Sequence, residues 1–467
     1  MNKITIVGGG PAGTAAALRA AELGAEVTLL EARALGGTCV VDGCVPTRVL
    51  ARAARMAREV RDAHLWGLEV GEVGVRWDRI MQRVDDTVRS VSAARASAGE
   101  LAQAGVDVRV GHHARFVDAH TLEFGDDKVE ADAILLCMGG APRALPIPGA
   151  ELATLPNEVL SWDTLPERVA VVGSGSTGAQ LVTVFSSLGS QVTLLDVAPR
   201  ILPHADGDVA ATVEVAFRSQ GITVTTGIDG LTAIERLEDA AATSADHGGG
   251  PLRLRYGSGG TETALEVDAV VLATGWPART EGLGLDAAGV DHGPGRIPVD
   301  AYLRTSVPHI YAPGDANQRD MLVQSAAEEG EAAAVNAVLG PTRSTPHALL
   351  PWGGFTDPDT AGVGLTEEEA SRHDDECITA LVPLSGLERA IIDERTEGFL
   401  KLIADRRRSM VLGAHAAGES AVEVIHAVTT AMASGTDPAT LARVQFAYPT
   451  YSAAIGAAAQ ELLREGS

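Results

Sequence analysis

The chain has 467 residues, which at roughly 150 residues per domain suggests about three domains. Apolar residues make up 45% of it and charged residues 21%, the composition of a globular protein rather than a disordered one. The formal net charge of −25 argues against nucleic-acid and membrane-surface partners, and no apolar run reaches the ~18 residues of a membrane span.

The N-terminal segment and the cysteines bear on the cellular compartment. The apolar run in MNKITIVGGG is too short for a signal peptide and passes directly into a glycine motif, so we expect a cytoplasmic protein. The four cysteines are Cys39, Cys44, Cys137 and Cys377, too few for the disulfide framework of a secreted protein. We expect Cys137 and Cys377 to be structural, because one lies in an apolar strand and the other in an acidic stretch.

The first predicted elements are a short apolar strand, a glycine-rich turn and a helix. The sequence reads KITIVGGGPAG, with spaced glycines at Gly8, Gly10 and Gly13. A second apolar strand, VTLLE, ends at Glu31. This spacing is typical of a dinucleotide-binding fold, in which the glycines let the backbone approach a pyrophosphate and the acid binds a ribose.

Two cysteines follow in the segment GGTCVVDGCVPTR. Residues five apart on a regular helix point about 140° away from each other, so Cys39 and Cys44 would not meet on one. They meet only if the segment is a distorted turn, which Gly36, Gly37 and Gly43 permit.

The chain after the second cysteine predicts a helix over 45–63, with Pro46 near its start. Cys44 would then lie near a helix N-terminus, where the helix dipole stabilises a thiolate, and Cys39 would be the attacking thiol. A metal site would lack ligands, because the next histidine is His64. A pair of inert thiols is the alternative.

The glycine motif is repeated later in the chain. RVAVVGSGSTG carries Gly173, Gly175 and Gly178, and the strand VTLLD ends at Asp196. Each of these four positions lies 165 residues after its counterpart in the first copy. Two complete copies with matched acids predict two dinucleotide-binding units rather than one chance glycine turn.

The remaining elements are predicted from pattern and turn residues. They are a helix over 85–105, strands over 107–136, apolar strands at 134–140 and 270–276, a loop and hairpin over 239–262, a linker over 341–351, strands over 375–412, and helices over 419–435 and 452–465.

These motifs together resemble the pyridine nucleotide–disulfide oxidoreductases, a flavoprotein family that includes lipoamide dehydrogenase, glutathione reductase, mercuric reductase and the soluble transhydrogenases. The resemblance covers essentially the whole chain. It is carried by GGGPAG with Glu31, GGTCVVDGCVPT, GSGSTG with Asp196, LATGWP, IYAPGDA, FTDPDTAGVGLTEEEA, GFLKLIAD and LGAHAAG.

The resemblance implies an α/β fold with two Rossmann-like dinucleotide-binding domains, as in glutathione reductase, and a C-terminal α+β dimerisation domain. The implied boundaries are 1–150 and 281–345 for the two parts of an FAD-binding domain, 151–280 for an NAD(P)-binding domain and 346–467 for the interface domain. It also implies a homodimer in which the partner's C-terminal domain completes the active site.

The resemblance further assigns cofactor residues. FAD would contact Gly8, Gly10, Pro11, Ala12, Gly13, Glu31, Gly37, Thr38, Arg48, Gly139, Gly314 and Asp315. The nicotinamide dinucleotide would contact Gly173, Gly175, Ser176, Thr177, Gly178, Gln180, Asp196 and Gly275. Asp196 favours NADH over NADPH, whereas Arg200, four residues on, could meet a 2′-phosphate. No metal is implied.

The chain departs from the family pattern at the residues that handle protons. Tyr448 stands where the disulfide-reducing members have a histidine, and Ala453 where they have its glutamate partner. A tyrosine with a pKa near ~10 is a poor base at neutral pH. Arg48 replaces a lysine and Gln180 a glutamate that pair beside the flavin in the family.

Three functions are consistent with this pattern. The first is a flavin-dependent dithiol/disulfide oxidoreductase that uses the Cys39–Cys44 pair, with Tyr448 in its active site and an atypical substrate. The second is an NAD(P)H-dependent reductase of quinones, dyes or another small-molecule acceptor that acts directly from the flavin. The third is a redox-responsive flavoprotein that reports to a partner.

Overall fold

The computed structural model describes residues 2–95, 97–237, 251–345, 349–373, 377–405 and 410–465. Residues 239–250 of the predicted loop and 346–348 of the predicted linker lie outside these ranges. The chain forms two compact units, the first from 1–50, 76–143 and 275–347 and the second from 51–75, 144–274 and 348–467. The four domain boundaries proposed from the sequence stay predictions.

The β-strands are given in chain order. They are β1 Lys3–Val7, β2 Glu26–Glu31, β3 Asp107–Val110, β4 Ala114–Phe116, β5 Thr121–Phe124, β6 Asp127–Glu130, β7 Ala133–Leu136, β8 Arg168–Val172, β9 Gln191–Leu195, β10 Thr223–Thr225, β11 Gly230–Arg236, β12 Leu252–Ser258, β13 Thr261–Val267, β14 Ala269–Leu272, β15 Ile310–Tyr311, β16 Trp352–Gly354, β17 Thr360–Gly364, β18 Cys377–Pro383, β19 Phe399–Asp405 and β20 Met410–Ala417.

The α-helices follow the same convention. They are α1 Pro11–Glu22, α2 Gly37–Val41, α3 Cys44–Arg61, α4 Trp77–Ala94, α5 Ser97–Gln103, α6 Ser176–Leu188, α7 Gly207–Ser219, α8 Leu285–Ala288, α9 Val323–Leu339, α10 Glu367–His373, α11 Glu388–Ile392, α12 Ala421–Ala433, α13 Pro438–Leu441 and α14 Ala453–Glu465. None of the helices in the described ranges has both the length and the apolar character needed to cross a bilayer.

The first unit is built on a parallel sheet with strand order β15-β7-β1-β2-β3. Its central strands β1 and β7 are apolar and almost entirely buried, as expected where helices cover a parallel sheet. Helices α1 and α9 pack on each other through alanines of the same core. The carboxyl ends of β1 and β2 carry the glycine turn and Glu31, so both lie at one edge of the sheet.

The second unit contains another parallel sheet, with strand order β10-β9-β8-β14, and an antiparallel sheet of β11, β12 and β13. Its C-terminal part is an antiparallel sheet with order β16-β17-β20-β19-β18, packed against α12 and α14. Two parallel dinucleotide-type sheets and a C-terminal α+β layer confirm the predicted fold class.

Several element boundaries differ from the sequence patterns. Helix α3 begins at Cys44 itself, so Pro46 lies within its first turn rather than at its first position. The helix predicted over 85–105 is two helices, and the first of them begins earlier, at Trp77. The strands predicted over 375–412 are interrupted by α11, since β18 ends at Pro383, which has no N–H to continue a ladder.

Candidate active site

The glycine turn after β1 is held by close backbone packing and by one buried carboxylate. Gly8 has a φ of +106°, and a Cβ there would lie 2.3 Å from the Cys137 carbonyl oxygen. A Cβ on Gly13 would lie 1.8 Å from the Gly8 carbonyl oxygen. The Glu31 carboxylate accepts hydrogen bonds from the backbone N–H groups of Gly9, at 2.6 Å, and Arg33, at 2.8 Å. Neither glycine could therefore carry a side chain.

The segment before the first cysteine packs directly on this turn. The Gly36 N–H donates to the Gly9 carbonyl over 2.9 Å. A Cβ on Gly37 would lie 2.8 Å from the Gly10 Cα. Because no side chains intervene, the N-terminus of α1 at Pro11 remains lined by backbone. This cradle of glycines at a helix N-terminus fits the pyrophosphate of a dinucleotide.

The two cysteines meet across a break between two helices. Cys39 lies on the short helix α2, which is capped at its C-terminus by Asp42, and Cys44 begins α3. Gly43 passes so close to α2 that a Cβ would lie 2.7 Å from the Thr38 carbonyl oxygen. The structure thus replaces the predicted distorted turn with a helix break at Asp42 and Gly43. Both cysteines are free thiols, and their sulfurs are within hydrogen-bond contact.

The surroundings of the pair shift the pKa values of the two cysteines in opposite directions. The hydrogen bond that Cys39 donates, together with the positive charge of Arg48, lowers the pKa of Cys44 to about 6, although burial and the charge of Asp315 oppose this shift. The same hydrogen bond, burial and the charge of Cys44 raise the pKa of Cys39. The single shared proton therefore resides on Cys39.

Asp315 approaches the pair from the turn Gly314–Ala316. A Cβ on Gly314 would lie 3.4 Å from the Cβ of Ala12, so this turn packs on the start of α1. Burial, and the charge of Glu329, raise the pKa of Asp315. Ala12, Gly314, Asp315 and the cysteine pair, separate in sequence, therefore lie within one region of the first unit.

Glu329 is a structural part of this region that the sequence did not indicate. It is 1% exposed, and its carboxylate accepts hydrogen bonds from the Gly314 N–H, at 2.6 Å, and the Asn317 side-chain amide, at 2.7 Å. The sequence did contain a sign of its role. Glu329 lies among alanines and a glycine on the buried face of α9, where a charged side chain is unusual. A buried acid at that position requires polar partners.

The second glycine turn repeats the first almost atom for atom. Gly173 has a φ of +99°, and a Cβ there would lie 2.3 Å from the Ala273 carbonyl oxygen. A Cβ on Gly178 would lie 1.8 Å from the Gly173 carbonyl oxygen. The Asp196 carboxylate accepts from the N–H groups of Ser174, at 2.5 Å, and Ala198, at 2.8 Å.

The second turn differs in what surrounds it. A Cβ on Gly175 would meet nothing within 4 Å, so the N-terminus of α6 at Ser176 is open on that side. The Gln180 amide donates to the Ser176 carbonyl over 2.7 Å. Arg200 donates to the Ala205 carbonyl over 3.1 Å, which directs its guanidinium to the backbone before α7.

The other residues predicted to contact a cofactor lie in separate parts of the chain. Thr177 lies in the first turn of α6. Gly139 and Gly275 have positive φ angles, and each carbonyl accepts a backbone N–H, from Arg279 at 3.0 Å and from Arg143 at 3.2 Å. Gly275 is the first residue of the last segment of the first unit.

Tyr448 lies in the second unit, between α13 and α14. Its side chain is 76% exposed, in contrast to the neighbouring Tyr451, which is 7% exposed and donates to Asp393 over 3.2 Å. An exposed aromatic residue of this size is available to a ligand or to another chain, whereas Tyr451 is part of the core.

Comparison with known proteins agrees with this geometry. Residues 2–330 match the family described as pyridine nucleotide-disulphide oxidoreductase, and residues 350–459 match its dimerisation domain. The chain is 33% identical to a glutathione reductase of Nostoc sp., covering 92% of this chain and 93% of that protein. It is 30% identical to a dihydrolipoyl dehydrogenase of Mycobacterium tuberculosis, covering 97% and 96%.

Other relatives extend the range of named activities. A mercuric reductase of Lysinibacillus sphaericus is 32% identical over 92% of this chain and 77% of its own length. Among solved structures, the HOCl-induced flavoprotein disulfide reductase RclA of Escherichia coli superimposes with a TM-score of 0.84 and 25% identity, covering 98% of this chain and 99% of that one. The chain therefore belongs to the FAD-dependent pyridine nucleotide-disulfide oxidoreductases, which confirms the family and the enzyme class expected from its motifs.

Proposed function

We propose that this enzyme is an NADH-linked dithiol/disulfide oxidoreductase that passes electrons between the nicotinamide, FAD and the Cys39–Cys44 pair. The observation that carries the proposal is the hydrogen-bonded pair itself, in which Cys44 has a pKa near 6 and Cys39 holds the proton. The lowered pKa makes Cys44 a thiolate at neutral pH, whereas burial raises the pKa of an inert thiol, as it does for Cys137.

The cysteine pair would reduce a substrate disulfide by two successive thiolate attacks. A proton passes from Cys39 to Cys44, and the Cys39 thiolate attacks a substrate disulfide, forming a mixed disulfide and releasing one substrate thiolate. After Cys44 loses its proton, it attacks the Cys39 sulfur, which forms the Cys39–Cys44 disulfide and releases the second thiolate. The two thiolates take up two protons, and two electrons from NADH restore the pair, so NADH, one solvent proton and one disulfide give NAD⁺ and two thiols.

FAD, when bound, supplies the relay of those two electrons between the nicotinamide and the sulfurs. We assign its pyrophosphate to the glycines of the first turn and its ribose to Glu31, which accepts one hydrogen bond on each oxygen and has lone pairs left for hydroxyl groups. Arg48, Thr38, Gly139 and Asp315 complete the proposed site, and the buried Asp315 would face a polar part of the cofactor.

The second turn is the proposed nicotinamide dinucleotide site, with NADH as the preferred form. The Asp196 carboxylate would repel a 2′-phosphate and accept from the ribose hydroxyls. Arg200 is held at the Ala205 carbonyl, which supports NADH because the guanidinium is engaged elsewhere. Comparison of kcat/KM for NADH and NADPH tests this preference, and a higher value for NADPH would contradict it.

The replacement of the family histidine by Tyr448 points to an atypical substrate. Without a His–Glu pair, substrate thiols must leave as stable thiolates or find another proton source. Tyr448→His with Ala453→Glu tests this idea. We expect the double variant to gain dihydrolipoamide activity, since a missing base costs on the order of 10²–10⁴-fold. If no gain is measured, the absent base is not what sets the substrate apart.

An anaerobic NADH titration tests the proposed electron path. At two electrons we expect a long-wavelength charge-transfer band from the Cys44 thiolate beside oxidised FAD. Cys44→Ser should abolish the band, and Cys39→Ser should retain it while disulfide reduction is lost. Bleaching of the wild-type flavin without the band would show that the cysteines are bypassed.

A direct reductase of quinones, dyes or another small-molecule acceptor is the second candidate. The exposed Tyr448 favours it, because an aromatic ring can stack on a flat acceptor. Cys39→Ser separates the candidates, since quinone reduction from the flavin would survive this change and disulfide reduction would not.

The matched dimerisation domain supports a homodimer, and we propose that the partner's C-terminal domain brings Tyr448 of the partner subunit to the cysteine pair. The protein is further proposed to be cytoplasmic. Light scattering of the yellow protein tests the dimer. A dimer of one Cys39→Ser subunit and one Tyr448→Ala subunit tests the shared site. If each site combines Cys39 of one subunit with Tyr448 of the other, one site lacks both residues and the other is intact. If the sites are not shared, each site lacks one residue.

A further inference from the structure

Arg95, a cation that belongs to none of the sequence motifs, lies beside Cys39. Helix α2, which carries Cys39, packs on α4, and Arg95 follows the last residue of α4. The Arg95 guanidinium donates a hydrogen bond to the Cys39 sulfur. Arg95 is exposed and lines a cavity of about 660 Å³ together with Gly10 and Gly36. Because Gly10 belongs to the turn assigned above to FAD, this cavity is part of the proposed cofactor site, and Arg95 contacts both that site and Cys39.

The electrostatic problem at Cys39 is how its thiolate becomes available. Its hydrogen bond to Cys44, burial and the negative charge of Cys44 all raise the pKa of Cys39, and Arg95 acts against them through its charge and its hydrogen bond. The family's usual base is absent, because Tyr448 occupies its position. An arginine side chain supplies a fixed positive charge rather than a proton.

We propose that Arg95 is a catalytic residue of this enzyme, which stabilises the Cys39 thiolate at the moment when it attacks the substrate. This inference rests on the proposed use of the cysteine pair in turnover. In the step described above, the proton moves from Cys39 to Cys44 and the negative charge appears on the Cys39 sulfur. Arg95 holds that charge until it passes into the leaving thiolate, and no further reactant is required.

The direct test measures Cys39 alone, in a Cys44→Ser background. The rate of alkylation by iodoacetamide, with mass spectrometry to confirm the modified site, gives the pKa of Cys39 from its pH profile. We expect Arg95→Gln to raise this pKa by about one unit, the size of shift that one nearby charge produces. Arg95→Lys should restore much of the difference, since it keeps the charge.

Arg89→Gln is the matched control, because Arg89 lies on the same helix α4, is exposed and pairs with Asp86. This control should leave the pH profile of Cys39 unchanged. Identical profiles for Arg95→Gln and Arg89→Gln would overturn the proposal. The measurement does not require turnover, so it stands or falls separately from the proposed function.

The effect on turnover is expected to be smaller than the effect on the thiolate fraction. One pKa unit lowers the thiolate fraction about tenfold below the pKa. A more basic thiolate is intrinsically more reactive, and a Brønsted coefficient of about 0.4–0.5 recovers roughly threefold of that loss. With 2,2′-dithiodipyridine as the disulfide, we expect Arg95→Gln to be about threefold slower near neutral pH. The loss should disappear at high pH, where Cys39 is ionised in both enzymes and only the higher reactivity of the more basic thiolate remains. A loss that is independent of pH would contradict thiolate stabilisation.

Discussion

The two glycine turns share one backbone plan and differ in their surroundings. In each, the third glycine packs on the carbonyl of the first, and an acid eighteen residues later accepts two backbone N–H groups. Gly10 of the first turn faces Gly37, with only 3.7 Å from its added Cβ to the Gly37 Cα, whereas Gly175 of the second turn is open.

This difference agrees with what each turn would bind. A cofactor that stays bound benefits from a second backbone segment packed over it, and in the first unit that segment leads into the helices that carry Cys39 and Cys44. A dinucleotide that enters and leaves in every cycle needs an open approach. The two turns thus share the backbone features of a dinucleotide-binding turn and differ in whether a neighbouring segment covers them, as the proposed difference between a resident and an exchanging ligand requires.

The largest expected effect comes from a side chain at the third glycine of either turn. Gly13→Ala and Gly178→Ala each place a Cβ 1.8 Å from a backbone oxygen, so the turn must open. We expect Gly13→Ala to yield protein without flavin and Gly178→Ala to lose the response to NADH. Visible absorbance and circular dichroism measure both outcomes.

Gly175→Ala is the control for the same turn. Its backbone φ of −64° suits alanine and its surroundings are empty, so the fold should be unchanged while KM for NADH rises. If Gly175→Ala and Gly178→Ala have equal melting temperatures, close packing at Gly178 does not hold the turn.

The second unit also contains a buried ion cluster at the start of α7. Lys401 on β19 is 3% exposed and its ammonium contacts Asp206 at 2.8 Å, Asp208 at 2.5 Å and Glu367 at 2.6 Å. Burial lowers the pKa of Lys401, but hydrogen bonds to these carboxylates outweigh it and raise the pKa.

We expect Lys401→Met to destabilise the protein by about 3–5 kcal/mol, because Asp206 would remain buried without its cation. Asp208→Asn is the control. Asp208 is 51% exposed, so its loss should cost about 0–1 kcal/mol. Urea unfolding measures both, and equal losses would show that burial of Asp206 is not the decisive factor.

The acids of the two turns allow a finer comparison. Glu31→Gln and Asp196→Asn each put an NH₂ group where an oxygen accepts a backbone N–H. Leaving such a donor unsatisfied costs about 1–3 kcal/mol. Glu31→Gln should weaken FAD retention and Asp196→Asn should weaken NADH binding, each with little effect on the other ligand. A variant that weakened the binding of FAD and of NADH equally would contradict the assignment of one acid to each ligand.

The sequence predicted the fold and both turns because glycine spacing and apolar runs are local signals. It also indicated that Cys39 and Cys44 would meet only if their segment were a distorted turn, and the structure has a helix break there instead. It did not predict Glu329, Lys401 or Arg95, because their partners are distant in sequence: Glu329 bonds Gly314, Lys401 bonds Asp206, and Arg95 bonds Cys39. Such contacts depend on tertiary packing, which residue spacing does not encode.

A pH-dependent effect is expected from two neighbouring aspartates on the loop before β17, which pair with different arginines and have pKa values shifted in opposite directions. Burial raises the pKa of Asp359 to about 6, even though the Arg55 guanidinium lies 2.7 Å away. Burial also disfavours the Asp357 carboxylate, but the charges of Arg395 and Arg58 prevail and lower its pKa. The two acids should therefore affect stability with opposite dependence on pH.

The signs follow from proton binding in the folded and unfolded states. Asp359 binds a proton more tightly when folded, so its contribution is fully present below its unfolded pKa of about 4 and is lost as the pH rises through 6. The wild-type stability minus that of Asp359→Asn should fall by up to about 1.4 kcal/mol per pH unit in this interval. For Asp357→Asn the corresponding difference should rise with pH towards about 4 and then level off. Urea unfolding between pH 3.5 and 7 measures both, and parallel difference curves would show that the two carboxylates have the same environment.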